Sequence, residues 1–335
     1  MTKKYFLITY GCQMNKADSE RIATILEKKG YKEAKNIEAA DLVVVNMCSV
    51  RQPAVDRVYG LIEKLKGKKK TILTGCILKR DRIKFAKSFD RILKFGDLFK
   101  LKPIRQNGLI AYVPISNGCN NACTYCAVPY TRGRLICRSH KEVVGEVKEA
   151  VKNGFREIWL LGQNVNDYQS PADSRINFAR LLKSASNLPG DFIIHFTSPH
   201  PKDFTDELID VMAGSKKIKK YLNLPVQSGD NKILKAMNRP YTVEKYKKLV
   251  KKIRKEMPNI NLSTDVIVGF PGETKKQFEN TAKLFRELKF NIAYISKFSP
   301  RPGTSAAKLK NNVPYQEKQR RWRILNDIIL NKNRA

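Results

Sequence analysis

Strand-like and helix-like segments alternate along the whole chain, and this alternation restricts the possible folds more than any other feature. Short apolar stretches such as YFLITY (5–10), DLVVVN (41–46) and TILTG (71–75) are each followed by an amphipathic stretch with helical periodicity. Alternation of this kind predicts parallel sheets whose strands are connected by helices. The sequence therefore predicts an α/β protein.

A cysteine follows each of these three strands in residues 1–100. Cys12, Cys48 and Cys76 stand directly after or within about two residues of the predicted strand ends. The unit is predicted to be an open parallel sheet of the flavodoxin or Rossmann type, in which loops after the strand carboxyl ends share one ligand-binding edge. We therefore expect the three cysteines to converge at that edge, although they are far apart in the sequence.

A predicted linker at 101–110 separates this unit from a second one at 111–335. The second unit has six further strand-like stretches, at 111–115, 157–162, 192–198, 221–226, 262–269 and 291–299. Six βα units are too few for a closed eight-unit barrel, so they predict a partial (β/α)6 barrel with its site at the carboxyl ends of the strands.

The composition favours a polyanionic partner. Lys and Arg number 65 against 31 Asp and Glu, which gives a formal net charge of +34 and indicates a nucleic-acid partner. No apolar run is long enough for a membrane span, and the N-terminus has no signal-peptide pattern, so a cytoplasmic protein is expected. In a reducing compartment, the seven cysteines indicate metal or redox chemistry rather than disulfides.

Three further cysteines fall within eight residues, in the loop after the first barrel strand. Cys119, Cys123 and Cys126 have the close spacing with which thiolates bind zinc or an iron–sulfur cluster. A structural zinc site needs four ligands, and Cys137 and His140 stand 11 and 14 residues beyond Cys126. A cubane cluster held by three thiolates would instead leave one iron open to a small chelating molecule.

The spacing of these three cysteines, with Tyr125 before the third, resembles the signature of radical S-adenosylmethionine (SAM) enzymes. In that superfamily, the methionyl group of SAM chelates the open iron of a 4Fe-4S cluster. Reductive cleavage of SAM then generates a 5′-deoxyadenosyl radical. The superfamily uses a partial (β/α)6 barrel, in agreement with the barrel predicted above.

Motifs along nearly the whole chain resemble the methylthiotransferases, and among them most closely the MiaB-type tRNA enzymes. In order, they are TYGCQMNKADSE (9–20), VVNMCSVR (44–51), LTGC (73–76), GCNNACTYCAVPYTRGR (118–134), LLGQNVNDY (160–168), FTSPHP (196–201), LPVQSG (224–229), STDVIVGFPGET (263–274) and SPRPGT (299–304). The resemblance implies that Cys12, Cys48 and Cys76 bind a second 4Fe-4S cluster. It also implies addition of a methylthio group to C2 of N6-isopentenyladenosine beside the tRNA anticodon, with two SAM molecules consumed.

The resemblance also suggests which other residues form the site. The residues predicted to bind SAM are Gly162 and Gln163 near the methionyl amine, Gln227 and Ser228 near the ribose, Val268, Gly269 and Gly272 behind the adenine, and Tyr125 against its ring. The candidates for contacts with tRNA are Arg132, Arg134, Arg138 and Arg301. Asn223 and His195 stand where similar sequences have His and Arg, and Cys137 is predicted to be a free thiol.

Expectations about partners rest on the resemblance. They are the tRNA anticodon stem-loop, a flavodoxin-like or ferredoxin-like electron donor and an unidentified sulfur donor, with the protein a monomer. The family normally continues into a small RNA-binding module called TRAM, whereas this sequence stops at RRWRILNDIILNKNRA. Either the chain is truncated or tRNA binds to the first two domains. The alternatives are the same chemistry on threonylcarbamoyl-adenosine or a ribosomal protein, and a non-catalytic iron–sulfur or zinc protein that binds RNA.

Overall fold

The structure, a computed structural model, describes residues 2–50, 52–65, 67, 69–105 and 108–332. Residues 106 and 107 of the predicted linker, residue 51 of the second motif and the chain termini at 1 and 333–335 lie outside this range. Among the described residues, none of the helices combines the length and apolar character needed to cross a bilayer.

The N-terminal unit is a five-stranded parallel sheet with helices on both faces. Its strands are β1 (Lys4–Tyr10), β2 (Lys32–Glu33), β3 (Leu42–Cys48), β4 (Lys70–Cys76) and β5 (Arg91–Ile92), and its helices are α1 (Gln13–Lys28), α2 (Gln52–Leu65) and α3 (Lys79–Phe85). The strand order is β2-β1-β3-β4-β5. This is the flavodoxin-like order, whose ligand crevice lies at the carboxyl ends of β1 and β3.

Alternating side chains of the central strand explain why helices cover both faces of this sheet. Val43, Val45 and Met47 pack with α2 on one face, whereas Val44 packs with Ile22 of α1 on the other. A strand that is apolar on both faces must be covered on both. Both β3 and β4 extend beyond the predicted strands and include the cysteines that had been expected to follow them.

The second unit is an open barrel of six parallel strands. They are β6 (Ile110–Pro114), β7 (Glu157–Leu161), β8 (Ile193–Phe196), β9 (Tyr221–Asn223), β10 (Asn261–Val268) and β11 (Ile292–Lys297). They form two three-stranded sheets, β8-β7-β6 and β9-β10-β11, and a parallel bridge joins Ile194 of β8 to Ile218, three residues before β9. The predicted α/β class and partial (β/α)6 barrel are confirmed.

Helices cover the outside of the barrel, where the strands present apolar residues such as Val113, Leu160 and Ile194. The helices are α4 (Val128–Arg132), α5 (His140–Lys152), α6 (Phe178–Ser186), α7 (Asp206–Gly214), α8 (Asn231–Ala236), α9 (Val243–Glu256), α10 (Lys275–Leu288) and α11 (Tyr315–Lys332). Two antiparallel ribbons, Ser116–Asn117 with Ile136–Cys137 and Gln169–Ser170 with Asp173–Asn177, lie in the loops. Strand β9 ends earlier than predicted, before Pro225, which has no N–H for a strand hydrogen bond.

A buried carboxylate joins the two units. Glu146 of α5 accepts hydrogen bonds from Arg21 of α1 at 2.8 Å, from Arg105 of the linker at 2.8 Å and from Arg138 at 2.7 Å. The Arg21 side chain is fully buried, and that of Glu146 is 10% exposed. Helix α1 also packs on β6 and β7 through Met14 and Ala17. The first helix is therefore fixed to the barrel by both charge and apolar contact.

Glu20, beside this cluster, is a buried carboxylate whose charge is only weakly balanced by neighbouring cations. Its closest cation is Arg105 Nη1 at 3.6 Å, and its Oε2 has no hydrogen-bond partner among the described residues. Burial raises the pKa of Glu20 from 4.5 to about 7, against the lowering effect of Arg105 and Arg21. The folded protein thus holds this proton more tightly than the unfolded chain does.

We predict that Glu20→Gln changes the pH dependence of stability. Because the folded-state pKa is raised, the proton on Glu20 stabilises the fold fully below pH 4.5, and this contribution is lost as the pH rises to about 7. Urea unfolding should show that the variant gains stability relative to wild type at pH 8 but not at pH 5. Glu63→Gln, at an exposed position of α2, is the control. An equal effect of Glu20→Gln at both pH values would contradict this account.

Candidate functional site

Cys12, Cys48 and Cys76 come together at the carboxyl edge of the N-terminal sheet. Cys48 and Cys76 end neighbouring strands and are partners in register. A hydrogen bond with the Cys48 thiol, together with burial, raises the pKa of Cys76. Cys12 stands at the start of α1 and donates its thiol proton to Asn15 Oδ1 at 3.4 Å. Asn15 Nδ2 lies 3.8 Å from Cys76 Sγ, so one amide contacts both thiols.

A glycine makes the close approach of these strand ends possible. Gly75 has a φ of 106°, and a Cβ at this position would clash with the backbone of Met47 and the side chain of Asn46. Asn46 in turn donates to Asn15 O and Ser19 Oγ at 2.8 and 2.9 Å. The position next to Cys76 therefore accepts no side chain.

We predict that Gly75→Ala destabilises the protein. The unfavourable φ alone costs about 1–3 kcal/mol, and the clash with Met47 adds to this cost because backbone atoms have little room to move. Urea unfolding measures the change. Gly60→Ala in α2 is the matched control, since a Cβ there meets nothing within 4 Å and alanine is favoured in a helix. Equal stability of the two variants would contradict the prediction.

The second cysteine set lies on the loop between β6 and α4. Cys119, Cys123 and Cys126 are all partly buried, and burial raises the pKa of Cys126 to about 12. Main-chain contacts fix the loop: Thr124 N donates to Met237 O at 3.1 Å, and Ala306 N donates to Thr124 O at 2.8 Å. The loop is thus held between the end of α8 and the turn that precedes α11.

The donor atoms at both sites are thiols, the ligands that hold iron–sulfur clusters. Within the described ranges, no group of three or more His, Cys, Asp or Glu side chains is placed so that it could hold a metal ion. His140 Nδ1 pairs instead with Ser170 Oγ at 2.9 Å, and Cys137 packs against the barrel core. Each cysteine set offers three thiols, and in a cubane each thiolate binds a different iron, so the three sulfurs need not surround one point.

Gln163, one of the residues predicted to bind SAM, contacts the cysteine loop, and Gly162 lies close beside the start of this loop. Gln163 Oε1 accepts a hydrogen bond from the N–H of Gly118, next to Cys119. A Cβ on Gly162 would lie 2.7 Å from Ser116 Oγ, a buried hydroxyl without a hydrogen-bond partner among the described residues. The end of β7 therefore lies against the start of the cysteine loop, and the unpaired Ser116 hydroxyl lies between them.

The predicted residues after β9 form a tight turn. Gln227 has a φ of 68°, and Ser228 is fully buried. Ser228 Oγ accepts a hydrogen bond from Asp230 N at 3.2 Å, so this hydroxyl stabilises the turn that begins α8.

The predicted residues after β10 are supported from the last helix. Val268 is buried at the strand end, and Gly269 and Gly272 have φ values of 70° and 83°. The N–H of Gly269 donates to Glu273 Oε2 at 2.7 Å, and Arg321 of α11 pairs with the same oxygen at 2.6 Å. Helix α11 therefore fixes the shape of the loop that was predicted to lie behind the adenine.

Tyr125 lies in an apolar cluster rather than on an open surface. Its ring packs with Met237, Phe270 and Phe298, and burial raises the pKa of its hydroxyl well above the usual value. The structure thus places Tyr125 beside the glycine loop after β10.

Two of the four arginines predicted to contact tRNA are bound inside the protein. Arg132 pairs with Asp18 at 2.7 Å, and Arg138 pairs with Glu146 and donates to Pro114 O at 2.8 Å. Both guanidinium groups are buried because their partners lie between the two units. Both guanidinium groups are thus held in internal ion pairs, and contact of Arg132 and Arg138 with tRNA stays a prediction. The candidates Arg134, which is exposed, and Arg301, which is partly exposed and contacts Gln52 at 2.9 Å, remain at the surface.

Comparisons with known proteins agree with this arrangement. The sequence profile of the radical SAM superfamily matches residues 113–285, and that of UPF0004, described as an uncharacterized protein family, matches residues 4–95. A protein of Carboxydothermus hydrogenoformans named tRNA-2-methylthio-N(6)-dimethylallyladenosine synthase is 39% identical over 97% of this chain and 83% of the relative. This chain belongs to the radical SAM methylthiotransferase family.

Other members and structures support the family assignment and the fold. A protein of Clostridium botulinum strain Hall with the same name is 39% identical over 99% of this chain and 83% of the relative. The radical SAM methyltransferase TsrM from Kitasatospora setae, solved with cobalamin and a 4Fe-4S cluster, matches with a TM-score of 0.68 and 15% identity over 92% of this chain and 77% of its own. The cobalamin-dependent radical SAM enzyme OxsB matches with a TM-score of 0.58 and 11% identity, over 97% of this chain and 56% of its own. These structures support the fold alone.

Sequence reasoning missed a buried cation at the barrel site of this methylthiotransferase. Arg239 Nη1 lies 3.8 Å from Cys123 Sγ, and the guanidinium also donates to Tyr241 OH at 2.8 Å and to Pro225 O at 2.7 Å. It stands 116 residues after Cys123 and three residues after the end of α8, where no local pattern marks it. Arg239 stands ten residues after the motif LPVQSG (224–229). This nearness to a strand-end motif was the one feature of the sequence that could have marked it as a site residue.

Proposed function

We propose that this protein is a tRNA methylthiotransferase that modifies C2 of N6-dimethylallyladenosine, also called N6-isopentenyladenosine, beside the anticodon. The observation that carries this proposal is the presence of two separate three-cysteine sets, each at a strand-end edge of its own unit. Curated relatives at 39% identity carry this activity in their names. The net charge of +34 supports a nucleic-acid substrate.

Each cysteine set would hold one 4Fe-4S cluster. Cys119, Cys123 and Cys126 would leave one iron for SAM, and Cys12, Cys48 and Cys76 would leave one for sulfur. When bound, these groups supply the carbon radical and the sulfur that an unreactive aromatic C–H bond requires, which acid–base side chains cannot provide.

The residues of this chain orient and enclose the reacting groups. Gln163 binds the start of the cysteine loop, and Arg239 places a buried positive charge beside Cys123. Among the residues predicted to bind SAM, Gln227, Gly269 and Gly272 lie on turns after strands and have positive φ values. Burial of these loops keeps water away from a reactive radical.

The inner face of the barrel is suited to a nucleobase. The rings of Trp159 and His195 stack at 4.4 Å, and Asn223 Nδ2 donates to Asp265 Oδ2 at 2.7 Å. Ser263 Oγ donates to Asn223 Oδ1 at 3.0 Å. Aromatic planes and hydrogen-bonding groups of this kind recognise single-stranded bases. The two departures from similar sequences, His195 and Asn223, thus take part in this inner surface.

We also propose a division into two domains and a set of partners for this protein. The N-terminal unit at 1–100 holds the sulfur-carrying cluster, 101–110 is a linker, and the radical SAM unit at 111–335 holds the other cluster. The anticodon stem-loop binds at the carboxyl ends of the strands of the two units. Arg134 and Arg301 contact its phosphates there. The protein acts as a monomer in the cytosol and receives electrons from a small flavodoxin-like or ferredoxin-like protein.

The test compares nucleosides in tRNA hydrolysates from cells that lack the gene, carry it, or carry it with Cys123→Ala. Mass spectrometry should find the 2-methylthio form of the prenylated adenosine only with the wild-type gene. Methylthiolation of threonylcarbamoyl-adenosine instead would overturn the proposed nucleoside. No change in any methylthioadenosine, together with modification of a ribosomal protein, would overturn the tRNA assignment.

A further inference from the structure

Arg132 connects the two cysteine sets. It is the last residue of α4, six positions after Cys126, yet its guanidinium points to the N-terminal unit. Nη2 pairs with Asp18 Oδ2 at 2.7 Å, and Nη1 donates to Asn117 Oδ1 at 2.8 Å. The side chains of Arg132 and Asp18 are only 10% and 12% exposed. The pair is therefore fixed by contacts to both units and largely shielded from water.

The charge of Arg132 acts on the N-terminal thiols. Helix α4, which ends at Arg132, contacts β4, which ends at Cys76. Asp18 stands one turn after Asn15 on α1, and the Asn15 amide contacts the thiols of Cys12 and Cys76. The electrostatic interactions of Arg132 with Cys76 and Cys12, and the opposite interaction of Asp18 with Cys76, agree with this placement.

Arg301 adds a second cation near Cys48, but this residue is half-buried, and Asp81 and Asp56 offset its charge. Solvent screens exposed charges more strongly than buried ones. Arg132 is thus the better-shielded of the two cations.

A fixed charge near an iron–sulfur cluster changes its reduction potential. The cluster gains one electron on reduction, so a neighbouring cation stabilises the reduced form and a neighbouring anion destabilises it. Asn15 adds an N–H dipole 3.8 Å from Cys76 Sγ, and hydrogen bonds to sulfur act in the same direction as a cation. Arg132 should therefore raise the reduction potential of a cluster at this site, and Asp18 should lower it.

We propose that Arg132 is a positioning residue that sets the reduction potential of the cluster bound by Cys12, Cys48 and Cys76, with Asp18 as its counter-charge. The inference rests on the proposed function, since it requires a cluster at this site. Arg132 also belongs to the helix that follows the barrel cysteines. The potential of the N-terminal cluster therefore depends on correct docking of the loop that holds the other cluster.

The test isolates the N-terminal cluster in the 335-residue chain. In a background with Cys119, Cys123 and Cys126 replaced by alanine, the protein is reconstituted anaerobically and reduced stepwise with dithionite, which supplies the electron, while EPR follows the reduced cluster. Arg132→Gln should lower the potential and Asp18→Asn should raise it. Each substitution should shift the reduction potential by about 59 mV. For a one-electron couple, this corresponds to a tenfold change in the ratio of reduced to oxidised cluster.

The controls separate a charge effect from damage to the fold. Arg132→Lys keeps the charge and should keep most of the wild-type potential, and Arg175→Gln, at an exposed arginine paired with Asp173, should leave the potential unchanged. If the Arg132→Gln protein loses its iron, the test depends on the two other variants. Asp18→Asn should then show a higher potential than wild type, and Arg132→Lys should keep most of the wild-type potential. Shifts of Arg132→Gln and Asp18→Asn in the same direction, or no shift in either, would overturn the inference. These outcomes are distinct from a failure of methylthiolation by the wild-type gene, which would overturn the proposed function.

Discussion

Cys123→Ala should abolish reductive cleavage of SAM while leaving about half of the iron in the protein. Cys123 is one of only three thiols on the barrel loop, and its sulfur is the one that Arg239 contacts at 3.8 Å. Removing it leaves two ligands for a cluster that already has one open iron. The three cysteines of the N-terminal sheet are untouched, so their cluster should remain. The measurement is 5′-deoxyadenosine formed by the anaerobically reduced protein, with iron determined in the same sample.

Cys137→Ala is the matched control for this prediction. Cys137 is a partly buried thiol in the same unit, and it lies in the ribbon with Ser116 rather than in the cysteine loop. This variant should retain SAM cleavage and all of its iron. Normal cleavage by Cys123→Ala would contradict the assignment of the barrel thiols, and loss of cleavage in Cys137→Ala would show that this thiol was wrongly left out.

Glu146→Gln should lower the free energy of unfolding by about 3–5 kcal/mol, the usual cost of removing one partner from a buried ion pair. Three arginines donate to this carboxylate, and neighbouring cations hold the pKa of Glu146 below its usual value against the effect of burial. Glutamine keeps the shape but leaves Arg21, Arg105 and Arg138 without their shared anion. Urea unfolding at neutral pH measures the change.

Glu149→Gln on the same helix is the control. Among the described residues, the ion pair of Glu149 is with Lys102 at 3.0 Å, and both side chains are at least half exposed. Loss of this pair should therefore change stability by less than about 1 kcal/mol. Similar effects of the two substitutions would contradict the view that the buried cluster fixes α1 to the barrel.

The meeting of the N-terminal cysteines could be predicted because it depends on backbone geometry. Parallel strands end at one edge, and Cys48 and Cys76 are adjacent in register at that edge. The side-chain contacts that complete the site could not be predicted in this way. Asn15 contacts Cys76 from 61 residues away and Arg132 contacts Asp18 from 114 residues away, and no local pattern encodes such pairs.

The arginines illustrate the same limit. Three of the four candidates lie within the sequence motifs and Arg138 follows one of them, so their region was predictable. Whether a guanidinium faces solvent depends on a carboxylate in another element, Asp18 for Arg132 and Glu146 for Arg138.

Iron and sulfide analysis after anaerobic reconstitution tests the central claim, that two separate cysteine sets each bind a 4Fe-4S cluster. The wild-type chain should bind about eight irons and as many sulfides. Replacing Cys12, Cys48 and Cys76 together, or Cys119, Cys123 and Cys126 together, should leave about four of each. About four irons in the wild-type chain, or an unchanged count after either triple replacement, would contradict the claim.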